Sequence, residues 1–184
     1  MVQYFRVSEL RDNIIELEIF GRNAMFRDPE NYCRSLLVPT FSAVRGIMCS
    51  IYWKPTFLWV PDEVRIMNPI CTEKYSVRTL SGKFELVRLA DVRYQIRAHF
   101  VWNEERPDLI PDRNEDKHFR MALRSLHRGG RFPVYLGTAD CPAEVIPGHF
   151  GHGSGHYDHC GGVRTEQYEM VDGVIRFERE PMKV

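Results

Sequence analysis

Residues 92–102 read Val92-Arg93-Tyr94-Gln95-Ile96-Arg97-Ala98-His99-Phe100-Val101-Trp102. Val92, Tyr94, Ile96, Ala98, Phe100 and Trp102 alternate with Arg93, Gln95, Arg97 and His99. A period of two sends alternate side chains to opposite faces of a strand, so this one has an apolar face and a basic, polar face. Upstream, residues 68–91 read as an insert, in which 75–80 and 83–89 flank the hairpin signal Ser81-Gly82. Before it, 56–60 and 64–67 are strand pieces separated by Pro61-Asp62. Residues 42–52 form a helix capped by Ser42, with Ala43, Val44, Ile47, Met48 and Ile51 at helical spacing. That helix must end before Pro55, because the residue preceding a proline is pushed out of the α region. Ile15, Leu17 and Ile19 alternate with Glu16 and Glu18 in a first strand over 14–20. Downstream, 104–111 is a loop. A second helix over 114–128 carries Phe119, Ala122, Leu123 and Leu126 on one stripe and ends at Gly129-Gly130. A short strand follows over 132–136.

Strand, helix, strand, strand, helix, strand is the ferredoxin-like split βαβ order, which also builds RNA-recognition sheets. The expected fold is α+β. A ferredoxin-like domain covers residues 1–137, with 1–12 as an N-terminal extension and 68–91 as an inserted hairpin thumb. A small C-terminal β region covers 138–184, where Asp172-Gly173 turns a last strand pair over 168–178.

Composition narrows the functional classes. Hydrophobic residues make up 43% of the 184, enough for a core and too many for a disordered chain. Lys plus Arg and Asp plus Glu number 25 each, which excludes a protein that coats nucleic acid by bulk charge and leaves a local patch. Five widely spaced cysteines without a C-x-x-C read as reduced thiols in a cytoplasmic protein. The N-terminus lacks the apolar segment of a signal peptide, and no apolar run is long enough to span a bilayer, so no membrane association is expected.

The second helix has the most informative entry. Asp112 and Glu115 suit a capping box, yet Arg113, Lys117, His118 and Arg120 crowd the same end. Cations there oppose the helix dipole by about 0.3–1 kcal/mol each. They make sense if an anion such as a phosphate docks on the free N–H groups. The plain alternative is a set of solvated surface charges. RNA is cut without metal when a base takes the proton of a ribose 2′-hydroxyl, the 2′-oxygen attacks the adjacent phosphate, and an acid protonates the departing 5′-oxygen. Histidine suits either proton role, and lysine suits charge stabilisation on the phosphorane.

Two blocks carry a resemblance. The first is Val38-Pro39-Thr40-Phe41-Ser42-Ala43-Val44-Arg45-Gly46 followed by Ser50-Ile51-Tyr52-Trp53-Lys54-Pro55. The second is Arg106-Pro107-Asp108-Leu109 followed by Asp112-Arg113-Asn114-Glu115 and Lys117-His118. Asn68-Pro69-Ile70, residues 94–100, Tyr135-Leu136-Gly137 and residues 151–158 also fit. Over roughly residues 13–160 the chain resembles the CRISPR-associated (Cas) family-five proteins of subtype I-C, in the RAMP superfamily. The resemblance implies an endoribonuclease that needs no cofactor or metal and cuts CRISPR repeat RNA, leaving a 2′,3′-cyclic phosphate. It implies Tyr52, Lys117 and His118 as the catalytic group, with base and acid unassigned between Tyr52 and His118. It also implies a protein that keeps the 5′ handle of the guide as a subunit of the type I-C interference complex, beside its backbone and large subunits. A non-catalytic subunit that only holds the handle is the alternative. The chain departs from the family in its extra residues 1–12 and in a shorter stretch over 159–168, which bears on assembly more than on catalysis.

Arg45, Lys54, Arg97, His99, Arg113, Arg120, Arg124 and Arg131 are the expected RNA contacts. For the polar face bearing Arg97 and His99, an ordinary solvated sheet surface is an equal reading. His149, His152, His156, His159 and Cys160 invite a zinc reading, but Gly-rich spacing and the missing C-x-x-C argue against it.

Overall fold

The computed structural model describes residues 13–80 and 82–177. The elements run β1 (Ile15–Ala24), α1 (Phe41–Ile51), β2 (Phe57–Ile66), β3 (Cys71–Thr79), β4 (Gly82–Trp102), a 3-10 turn (Pro107–Asp112), α2 (Glu115–Leu126), β5 (Val134–Tyr135), β6 (Pro142–Pro147), β7 (Gly162–Arg164), β8 (Glu169–Val171) and β9 (Val174–Arg176). β4 is the axis. The alternating stretch at 92–102 and the outer arm of the expected hairpin are one strand of 21 residues. It pairs with β1 through Ile15↔Ala98 and Leu17↔Ile96, and with β2 through Trp59↔Phe100 and Val64↔Ile96. Its distal half pairs with β3 to form the thumb.

The two strand pieces expected around Pro61-Asp62 are a single strand with a bulge between Pro61 and Glu63. Proline cannot donate to the ladder, and a bulge absorbs that loss without ending the strand. The first helix starts earlier than expected. Thr40, not Ser42, is its cap, with Oγ1 accepting from Ala43 N at 3.1 Å.

Strand order β6-β1-β4-β2 with both helices on one face is the ferredoxin-like arrangement. Its fourth strand is β6, through Ile19↔Val145, whereas the stretch expected for that role at 132–136 holds only the two-residue β5, paired to β6. Prolines at both ends of β6 hide it from a propensity reading, and they are tolerated at the margin of a sheet. Beyond β2 the sheet continues as β9-β8-β7, joined by Val64↔Ile175. Asp172 (φ 49°) and Gly173 (φ 75°) make the turn between β8 and β9, the positive-φ pair a tight hairpin demands. Residues past 137 therefore add strands to both margins of one sheet. The expected extension over 1–12 and the end of the last strand at Glu178 lie outside the described residues.

The core lies between sheet and helices. Ile15, Leu17, Ile19, Trp59, Tyr94, Ile96, Ala98 and Phe100 meet Val44, Ile47, Met48, Ile51, Ala122 and Leu126 there.

Candidate active site

α1 ends at Tyr52, an extended residue (φ −157°, ψ 128°) whose N–H still reaches Met48 O. Its carbonyl accepts from Trp59 Nε1 at 2.7 Å, which anchors the backbone to β2. The ring turns inward beside Phe57, centroids 5.6 Å apart. The His118 ring enters the same space from the first turn of α2, edge-on to Phe57 at 5.3 Å and to Trp102 at 6.0 Å.

Asn114, not Asp112, caps α2, its Oδ1 accepting from Lys117 N at 2.9 Å. The 3-10 turn before it frees Asp112 for other partners. One carboxylate oxygen accepts from Thr56 Oγ1 at 2.7 Å, and the other holds the Lys117 ammonium. These bonds, Lys117 first and Thr56 second, lower the Asp112 pKa from 3.8 to about 2. The Asp112 backbone carbonyl lies 2.9 Å from His118 Nε2. A carbonyl only accepts, so Nε2 carries a proton, and in the neutral ring Nδ1 is then an acceptor. Tyr52 Oη lies 2.9 Å from that Nδ1 and donates to it. Met121 Sδ is 3.4 Å from the same hydroxyl. Burial pushes the Tyr52 phenol above its ordinary pKa, while the Arg131 guanidinium, 5.2 Å from the ring centre, pulls it back.

Tyr52, Lys117 and His118 thus converge from the end of one helix and the start of another. Tyr52 and His118 are 0% exposed, whereas the Lys117 side chain is 44% exposed. The pair forms a closed, hydrogen-bonded network with one cation at its edge. Asp112 contacts both halves, through its carboxylate for Lys117 and its carbonyl for His118.

The expected RNA contacts fall into three settings. Arg124 and Arg131 are exposed beside this site, while Arg45 and Lys54 are half-buried on and after α1. Arg113 is bound to Glu104 and to Asn103 O, and Arg120 pairs with Asp116. Arg97 and His99 lie on the opposite face of the sheet. Arg97 pairs with Glu16 and Glu63, and His99 is 5% exposed with Nδ1 2.8 Å from the Asp62 carboxylate. The bulge frees Asp62 for that contact. The segment 148–160 folds over this face, with Phe150 against the Arg97 guanidinium and Arg65 joined to Asp158. This is neither a solvated sheet surface nor an open one.

Thr56 and Met121 escaped the sequence reading. A threonine opening a strand and a methionine within a helix carry no chemical signal until the fold sets them against Asp112 and Tyr52. Among the described residues no three His, Cys, Asp or Glu side chains converge as a metal site.

The model of the family described as CRISPR-associated protein (Cas5) matches residues 14–175. A relative named CRISPR pre-crRNA endoribonuclease Cas5d, from Mannheimia succiniciproducens, is 31% identical, the match covering 71% of this chain and 71% of that protein. A protein of the same name from Thermus thermophilus is 26% identical over 72% of this chain and 63% of its own length, so the chain spans less than two thirds of that relative. A solved structure titled as a CRISPR-associated protein superposes with TM-score 0.77 at 33% identity, covering 90% of this chain and 92% of that one. A functionally uncharacterized protein from Streptococcus mutans superposes with TM-score 0.75 at 32% identity and the same coverage.

Proposed function

This chain belongs to the CRISPR-associated Cas5 family, and we propose that it is an endoribonuclease that cuts CRISPR repeat RNA by 2′-hydroxyl attack, without a metal ion. The observation that carries the reading is the 2.9 Å contact between Tyr52 Oη and His118 Nδ1, with the Lys117 ammonium held at its edge by Asp112. Two relatives bear the name pre-crRNA endoribonuclease.

The roles follow from the order of the contacts. Both ring nitrogens of His118 are occupied, so His118 communicates with a substrate only through Tyr52. Tyr52 Oη takes the proton of the ribose 2′-hydroxyl as its own proton passes to His118 Nδ1. The 2′-oxygen bonds to phosphorus, the bond to the 5′-oxygen breaks, and a 2′,3′-cyclic phosphate forms. Lys117 stabilises the charge on the phosphorane and supplies the proton to the departing 5′-oxygen. Held at its high pKa by burial, Tyr52 is a neutral phenol at rest, and it acts as a base only because His118 accepts from it. The substrate oxygen reaches the phenol once the Met121 side chain swings off it; methionine, unbranched and flexible, moves at small cost.

The zero exposure of Tyr52 and His118 favours a second reading, in which the pair is structural and the protein holds the guide's 5′ handle without cutting. In either reading the chain is a subunit of the type I-C interference complex. Purified protein incubated with repeat hairpin RNA in EDTA separates the two. Cleavage with a cyclic phosphate end, lost in His118→Ala while binding persists, is the expected result. Tight binding without any cleavage supports the handle-holding reading. Cleavage by His118→Ala at the unaltered rate overturns the site.

A further inference from the structure

The proposed mechanism places a positive charge on a histidine that is closed off from solvent. His118 is 0% exposed, and Phe57, Trp102 and Phe100 wall its ring at centroid distances of 5.3, 6.0 and 6.5 Å. When Nδ1 takes the phenol proton the ring becomes an imidazolium, and a buried charge without a counter-charge is strongly destabilising. Resting on the nuclease reading, we propose that Asp112, aimed by Thr56, is a positioning residue for the reaction. Its carboxylate balances the charge that His118 acquires and holds Lys117 until the scissile phosphate takes the ammonium over.

Three observations converge. The first is proximity. Asp112 Oδ2 lies 3.4 Å from His118 Nε2, and among the described residues no other carboxylate comes within 4 Å of that ring's nitrogens. Nε2 already donates to the Asp112 carbonyl at 2.9 Å. The carboxylate therefore acts on the ring through its charge, not by taking the proton.

The second is the way the carboxylate is held. The side chains of Asp112 and Lys117 are 37% and 44% exposed, and an ion pair that open is loosely held on its own. Thr56 removes the freedom. It is 1% exposed, its carbonyl accepts from Asn103 N at 2.9 Å, and its Oγ1 donates to Asp112 Oδ2 at 2.7 Å. The hydroxyl thus fixes Oδ2 on the His118 side and leaves Oδ1 to Lys117. With water within reach, Asp112 does not need Thr56 to satisfy its oxygens, so what the bond adds is direction.

The third is that this carboxylate is out of place on a surface that only holds RNA. A fixed negative charge beside Lys117 repels a phosphate and competes with it for the ammonium. A handle-holding surface gains nothing from that. A site that must charge a buried imidazole does.

The test is single-turnover cleavage of repeat hairpin RNA with protein in excess. It reads the rate at saturation and the protein concentration that half-saturates it. Asp112→Asn keeps an acceptor for Thr56 and removes the charge. The saturating rate is expected to fall at least about tenfold, while the half-saturating concentration falls about twofold because phosphate is no longer repelled. Thr56→Val keeps the carboxylate and loses its guide, so the rate falls with half-saturation unchanged, and Thr56→Ser restores the rate. An unaltered rate in Asp112→Asn overturns the proposal. So does a slower rate joined to weaker binding, the mark of a merely structural role. If Thr56→Ser is as slow as Thr56→Val, the hydroxyl does not aim the carboxylate and the pair is overturned. If His118→Ala stops cleavage while Asp112→Asn cuts at the unaltered rate, the nuclease stands and the role of Asp112 falls. If the unaltered protein never cuts, both fall.

Discussion

Asp112 shows how much a single residue contributes here. Its carboxylate fixes where the Lys117 charge sits, and its carbonyl fixes which His118 nitrogen is left to accept from Tyr52. Tyr52→Phe removes one hydroxyl and strands a buried imidazole nitrogen, a loss of about 1–3 kcal/mol in denaturant unfolding. On the proposed mechanism the same change is expected to abolish cleavage, because the 2′-hydroxyl proton would then have no route to His118. Retained cleavage in Tyr52→Phe would mean that the ribose is activated by another route. The grouping of Tyr52, Lys117 and His118 followed from the family resemblance, and the fold brings the three side chains together. The Asp112 bond to Thr56 was not legible in the sequence, because the two residues stand 56 positions apart.

At the level of elements, the turn after β5 carries more constraint than its two-residue strand suggests. Gly137 has φ 96°, and a β-carbon there would overlap the Met25 carbonyl oxygen. The close approach is held by the bond from Met25 N to Leu136 O, 2.9 Å. Gly137→Ala adds an αL-type penalty to a backbone clash, so a loss of more than about 2 kcal/mol is expected. It would appear as a lower urea midpoint with an unchanged m-value. The alternation at 92–102 was readable because β4 is central and half of it faces the core. β6 was not, because it is short and bounded by prolines, and Val145 is its only fully buried side chain.

Across the whole molecule the sheet has two covered faces with different chemistry. The helices cover one with apolar side chains, and the glycine-rich segment 148–160 covers the other through polar bonds. Arg65, 6% exposed, gathers that cover: its guanidinium meets Asp158 at 2.7 Å, Gly153 O at 3.0 Å and Gln95 Oε1 at 3.1 Å. Gln95 Nε2 adds His152 O at 2.7 Å. Arg65→Ala is expected to release the segment, seen as faster amide exchange and proteolysis within 148–160, while α1 and α2 keep their protection. Uniform loss of protection would show instead that the segment and the core unfold as one unit.

The family resemblance supplied the grouping of Tyr52, Lys117 and His118, and residue order alone the periodicities and the βαββαβ succession. These are local properties, carried by alternation within a strand, by spacing along a helix and by residue type. Which basic residues are free, which are spent on carboxylates, and that Tyr52 and His118 meet in a closed space depended on tertiary packing. Charge compensation and burial arise between segments far apart in the chain, and no local pattern encodes the partner.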